Sequence, residues 1–254
     1  MIISVCGKGG VGKTTISAVA AKELSELDGT RSLIVDADPA GGLGMALCLE
    51  PRKSLNDVRG ELIEEVKAGS RDERDLAVSI DYLLAEAVTE RGNLAFLSIG
   101  RPEDEGCYCK VNVILKEAIE GLAGMFDHCV IDAEAGIEQV NRKVMGAVDY
   151  VLLASDTSAK GIRVAETIKG VADRMVGGEG AGLVLNRVRT DGEFEAARAG
   201  TDLEVLGFIP EDDVIRDFDR AQESFLDLPA CPARSAIRSA LELAGLFAPA
   251  GRGS

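Results

Sequence analysis

The 254-residue chain has no tryptophan, one histidine and three tyrosines, and aromatic residues make up 4% of it. One histidine excludes any mechanism that needs two imidazoles from a single subunit. Basic residues are also scarce: 28 Lys and Arg stand against 43 Asp and Glu, a net charge of −15. So acidic a chain repels a phosphate backbone, which argues against nucleic acid as a partner, although one basic spot can still bind one phosphate ligand. No apolar run reaches the length of a membrane span, so no membrane partner is expected either. Met1-Ile2-Ile3-Ser4-Val5-Cys6 runs straight into a glycine loop, with no basic region and no small-residue cleavage site. A secretory signal is therefore not expected, and a cytoplasmic location is. There the six cysteines stay reduced and read as core, metal or redox residues, not as a disulfide framework.

What is present is a globular composition, 46% hydrophobic and 28% charged, in a chain long enough to bury a core. Apolar runs predict strands at Ile2–Cys6, Ser32–Asp36, Leu94–Ile99, Cys129–Asp132, Tyr150–Ser155, Gly182–Asn186 and Val205–Ile209. Several are unbroken Val/Ile/Leu runs, as in strands covered on both faces. Helices are expected over Lys13–Leu27, Leu55–Val66, Asp75–Arg91, Val111–Met125, Glu138–Ala147, Ile162–Met175 and Ala236–Phe247. Val111, Ile114, Leu115, Ala118, Leu122 and Met125 recur at spacings of three and four and form one apolar face. Alternating strand and helix predicts an α/β fold with a doubly wound, mostly parallel sheet. No repeat or linker divides the chain. A single domain over residues 1–247 is expected, with residues 248–254 a frayed tail.

Gly7-Lys8-Gly9-Gly10-Val11-Gly12-Lys13-Thr14 fits G-x-x-x-x-G-K-[ST] between a predicted strand and a predicted helix. Glycines let successive N–H groups turn inward around phosphates, and the helix N-terminus adds partial positive charge. Lys13 can reach the terminal phosphates, and the Thr14 hydroxyl can ligate Mg²⁺. Gly9, Gly10, Val11, Gly12 and Thr15 complete the nucleotide-binding set, with ATP/ADP and Mg²⁺ as cofactors. Asp36-Ala37-Asp38-Pro39 follows the second strand, and Asp132 ends the strand over Cys129–Asp132. Carboxylates at strand ends beside a phosphate loop suit metal-bound waters and the positioning of a nucleophilic water.

Lys8 beside the first glycine makes the loop K-G-G-x-G-K-[ST]. It resembles the deviant phosphate loop of the dimeric ATPases that include MinD, ParA, the nitrogenase iron protein and the tail-anchored-protein targeting ATPases. The resemblance implies that Lys8 reaches the nucleotide of the other protomer across a two-fold interface. It also implies that Asp38 polarises the attacking water, that Asp36 and Asp132 hold Mg²⁺ through water, and that the Gly136 N–H senses the γ-phosphate. Asn186 would bond the adenine edge, and Pro210, Glu211 and Asp212 would close over the base.

Cys107-Tyr108-Cys109 places two thiols one residue apart. Two are too few for a tetrahedral site, but a two-fold dimer supplies four, a soft set suited to Ni²⁺ or Zn²⁺. A redox pair and two incidental thiols are the other readings. Together with Asp132-Ala133-Glu134-Ala135-Gly136-Ile137-Glu138, this segment resembles the CooC family. Its members are ATPases that help insert nickel into carbon monoxide dehydrogenase, and maturation ATPases of acetyl-CoA synthase look similar. The resemblance implies a homodimer holding Ni²⁺ or Zn²⁺ between Cys107 and Cys109 of both copies, with such a nickel enzyme as client. Relatives often carry His where this chain has Gln139. The alternatives are an iron–sulfur electron donor like the nitrogenase iron protein and a MinD/ParA-like positioning ATPase.

Overall fold

The computed structural model describes residues 1–67, 73–101, 109–134, 148–174 and 180–247, with the backbone alone described for residues 73–78, 109, 110 and 112. One sheet holds strands β1 (Ile2–Gly7), β2 (Ser32–Asp36), β3 (Thr89–Arg91), β4 (Leu94–Ser98), β5 (His128–Asp132), β6 (Tyr150–Ser155), β7 (Ala181–Val188) and β8 (Val205–Pro210). Their order is β3-β4-β2-β5-β1-β6-β7-β8. All neighbours are parallel except β3 and β4. From β1 the chain first builds toward β2, β4 and β5, then crosses to β6, β7 and β8. The carboxyl end of β1 therefore lies at the point where the winding reverses, the usual ligand position in such sheets.

The helices are α1 (Lys13–Ser25), α2 (Gly42–Leu47), α3 (Leu55–Lys67), α4 (Glu73–Ala87), α5 (Cys109–Ala123), α6 (Ala159–Ala172), α7 (Asp191–Ala199), α8 (Asp213–Ala221) and α9 (Pro232–Leu243). Side chains alternate along each strand, and both faces are covered. Leu33, Val35, Cys129 and Ile131 enter the core beneath α3, α4 and α5. Ile34 and Val130 enter the opposite core beneath α1, α2 and α9. Two covered faces are why these strands read as unbroken apolar runs.

The expected helix over residues 75–91 is corrected. Helix α4 stops at Ala87, and Thr89–Arg91 forms the antiparallel edge strand β3. Gly92, at φ +63°, makes the two-residue hairpin turn that returns the chain to Leu94. The Asn93 side chain in that turn donates to Leu24 O and Leu27 O at 2.9 and 3.1 Å, closing the C-terminal end of α1. Helix α5 begins at Cys109, and α9 begins at Pro232, earlier than expected. His128 opens β5 and is buried beside Ser32 on β2. The helix expected over residues 138–147 and the tail 248–254 lie outside the described residues.

Helix α9 is locked onto α1 by charge. Glu23 is 1% exposed and accepts from Arg234 Nε and, at 2.7 Å, from Arg238 NH1. Arg234 also pairs with Glu26 and donates to Leu228 O at 2.9 Å. Removing one partner of a buried pair leaves the other uncompensated. Glu23→Gln is expected to lower the unfolding free energy by about 3 kcal/mol in denaturant titration. A loss below about 1 kcal/mol would mean that water already satisfies these arginines.

Candidate functional site

Each residue singled out at a strand end sits on the carboxyl edge of the sheet. Gly7 ends β1 beneath β6, where a Cβ would lie 2.2 Å from Ala154 O. Gly10 and Gly12 adopt φ +81° and +94°, the left-handed region where side chains are strained. Gly12 is the N-cap of α1 and supplies no side-chain acceptor, so the first-turn N–H groups keep their affinity for an anion. The buried Lys13 ammonium donates back across the loop to Lys8 O at 3.4 Å.

Asp36 and Asp132 are register neighbours on β2 and β5, and both are buried. Asp132 accepts from the Thr14 hydroxyl through Oδ2 at 2.8 Å and from the Ser17 hydroxyl through Oδ1 at 3.1 Å. Burial pushes its carboxyl up to about 7, against the pull of the Thr14 hydrogen bond, and the Asp36 charge adds to the rise. Asp36 is committed to backbone donors. Its Oδ2 accepts from Leu43 N at 2.9 Å and Gly44 N at 3.1 Å, and its Oδ1 from Asp38 N at 3.2 Å. Burial raises this carboxyl too. Asp38 is half-buried and accepts from Ala40 N at 2.9 Å.

These oxygens fit Mg²⁺. The Thr14 hydroxyl gives its one proton to Asp132, which leaves its two lone pairs for a hard cation. Asp132 and Asp36 supply the flanking negative charge. Thr14 and Thr15 line an open cleft of about 940 Å³ together with Asp36, Gly42, Phe218 and Gln222.

On the other side of the loop, the Lys8 ammonium lies 3.8 Å from Asp156 Oδ2 within its own chain. Burial pushes the Asp156 carboxyl up, but donors from Ser158 and the charges of Lys8 and Arg187 outweigh it and hold the group below its ordinary value. Asn186, expected at an adenine edge, grips the loop in this ligand-free chain. Its Nδ2 donates to Val11 O at 2.7 Å, and its Oδ1 accepts from Arg187 N at 2.9 Å. A Cβ on Gly12 would come within 2.3 Å of that Nδ2. Arg187, at φ +59°, donates from NH1 to Gly10 O at 3.2 Å.

Pro210 ends β8, and Glu211 pairs with Arg189 at 2.6 Å. Asp212 caps two helices. It accepts from Val214 N of α8 and Ala233 N of α9, both at 2.9 Å.

Cys109 is the first residue of α5. Cys107, Gly136 and Gln139 lie outside the described residues. Among the described residues no three His, Cys, Asp or Glu side chains are grouped to hold a metal. Cys6, Cys48, Cys129 and Cys231 are free thiols, and burial pushes Cys6 up to about 11 and Cys129 up to about 12, which makes them inert. Sequence reading missed Ser17, Asp156 and Arg187. Each had a signal: Ser17 lies one turn beyond Thr14, Asp156 follows an apolar strand as Asp132 ends one, and Arg187 follows Asn186.

A glycine loop joining β1 to α1 at the sheet's reversal point, with acids at the neighbouring strand ends, defines a P-loop nucleotide-binding protein. Residues 2–225 match the family model described as the CobQ/CobB/MinD/ParA nucleotide binding domain. The chain belongs to this family of P-loop ATPases. It is 35% identical over 236 residues to an uncharacterised ATP-binding protein of Methanocaldococcus jannaschii, covering 90% of this chain and 92% of that protein. It is 28% identical over 260 residues to the carbon monoxide dehydrogenase accessory protein CooC of Rhodospirillum rubrum, covering 96% of this chain and 98% of CooC. Among solved structures, the MinC:MinD cell division protein complex of Aquifex aeolicus matches with a TM-score of 0.69 and 25% identity, covering 99% of each chain.

The raised Asp132 carboxyl has a defined effect on stability. A carboxyl that holds its proton more tightly when folded favours the fold fully below its unfolded value near 4, and that contribution is lost as pH rises through about 7. Relative to Asp132→Asn, the ligand-free wild type should therefore lose stability between pH 5 and pH 8 in denaturant titrations. Parallel curves for the two proteins would contradict this.

Proposed function

We propose that this ATPase works as a nucleotide-driven homodimer in the cytoplasm, assisting nickel delivery to a carbon monoxide dehydrogenase or acetyl-CoA synthase. The observation that carries this reading is the end-to-end match to CooC, 96% of one chain against 98% of the other, together with the Cys107-Tyr108-Cys109 pair in the sequence. Helix α5 follows β4, and the carboxyl end of β4 adjoins Asp36. The chain thus leaves β4 on the nucleotide-binding edge of the sheet.

In this mechanism the loop N–H groups and Lys13 bind the ATP phosphates. Thr14 would ligate Mg²⁺, with Asp36 and Asp132 holding its waters; a cation held there would supply charge neutralisation for phosphoryl transfer. A solved MinD from Pyrococcus horikoshii is a complex with Mg-ADP. Asp38 orients the attacking water. Lys8 exchanges Asp156 for the partner's phosphates, where its charge acts as a cationic finger does. Asn186 and the Pro210-Glu211-Asp212 turn flank the adenosine end. Nickel is the cargo, and the paired thiolates of two protomers give it four soft ligands.

A second reading, a MinD-like positioning ATPase, is favoured by 28% identity to Bacillus subtilis MinD over 84% of this chain. The net charge of −15 speaks against DNA as its track. Among the described residues no helix is long and apolar enough to cross a membrane.

Two measurements separate these readings. Anaerobically purified protein with ATP and Mg²⁺ should bind about one Ni²⁺ or Zn²⁺ per two chains, and Cys107→Ser with Cys109→Ser should abolish this. Undiminished metal binding in the double variant would overturn the nickel reading, and ATP-dependent sedimentation with liposomes would support the second. Lys8→Ala should lower ATP turnover at least about tenfold while nucleotide still binds. Unchanged turnover would remove the role of Lys8 across the interface.

A further inference from the structure

We propose that Ser17 is a positioning residue for the magnesium step, fixing Asp132 so that the Thr14 hydroxyl presents its lone pairs to the ion. Ser17 is wholly buried on α1, among Ala18, Ala20 and Ala21. Packing there asks for a small apolar side chain, and alanine is the better helix former. A serine inside a helix usually turns its hydroxyl back to a carbonyl one turn earlier. Here the hydroxyl leaves its own helix and donates to Asp132 Oδ1 at 3.1 Å.

Thr14 and Ser17 lie one turn apart on the same face of α1 and take the two oxygens of one carboxylate. One donor leaves a carboxylate free to turn about its Cβ–Cγ bond, whereas two donors on separate oxygens fix its plane. The Thr14 hydroxyl has a single proton, so where its lone pairs face depends on where Asp132 Oδ2 sits. Ser17 sets that position without touching nucleotide or metal. If it is lost, Oδ1 becomes a buried acceptor with no donor. The carboxylate can then turn to recover one, and Thr14 turns with it.

The inference rests on the nucleotide and magnesium reading of this site, and calorimetry with ADP separates the two. Wild type, Ser17→Ala and Ser17→Thr are each titrated with ADP in EDTA and again in Mg²⁺. The quantity read is the ratio of the two affinities. In wild type Mg²⁺ should strengthen binding, and no strengthening there would overturn the magnesium reading and the role of Ser17 with it. Ser17→Ala should cut the ratio about tenfold, as expected for one hydrogen bond to a charged group, with affinity in EDTA unchanged. Ser17→Thr keeps the hydroxyl and should restore the ratio. Three results overturn the proposal while leaving the nucleotide reading intact: an undiminished ratio in Ser17→Ala, an equal loss in EDTA and in Mg²⁺, or a threonine variant as weak as alanine. Should Ser17→Ala fail to fold, Ser17→Cys, with similar shape and a weak donor, is read by the same ratio.

Discussion

Two carboxylates lie side by side, in register and out of water, at the floor of the nucleotide site. Asp36 and Asp132 occupy neighbouring strands, and placing like charges there is costly unless each has its own donors. The donors come from different helices. Asp132 is held by two hydroxyls of α1. Asp36 is held by backbone N–H groups of α2 and of the turn leading to it. Where α1 and α2 must start follows from this division. The same acids that fit a cation also pin the two helices beside them.

The opposite wall answers with positive charge. Lys8, Lys13 and Arg187 all lie against the loop, and each has a contact within the chain. A chain with a net charge of −15 therefore presents a local basic spot, enough for one polyphosphate and too little for a nucleic acid. Asn186 joins the walls, since its amide ties β7 to the loop carbonyl of Val11. That tie requires Gly12, because a side chain there would collide with the amide. The glycines thus serve both the phosphates and the closeness of the protein to itself.

The sheet was legible because both its faces are buried, and unbroken apolar runs identify such strands. The loop was legible because its glycines and lysine sit between a strand and a helix. The short elements were not. Helix α8 is only nine residues long, and its apolar face rests on Val214, Ile215 and Phe218 alone, while α7 is announced mainly by the Thr190 and Glu193 capping pattern. The stretch from Asp75 to Arg91 read as one helix because alanine and leucine dominate its first part. Only the turn at Gly92 separates off a strand. The contacts that Asp212 and Asn186 make within the chain were the least legible, since polar side chains that cap helices or hold loops look the same in sequence as residues that touch a ligand.

The two helices at the site are anchored by different means. Helix α1 is tied at its C-terminal end by Asn93, along its side by Glu23 with Arg234 and Arg238, and at its start by Asp132. Helix α2 spans residues 42–47, with Met45 68% exposed, and it meets the site through the carboxylate of Asp36. Beyond that carboxylate, α2 is held by Leu43 and Leu47, both fully buried in the core it shares with α1, and by the Ser224 hydroxyl, which donates to Leu47 O at 2.8 Å. Asp36 and Asp132 thus set where the two helices begin, and the apolar core sets how they pack against each other.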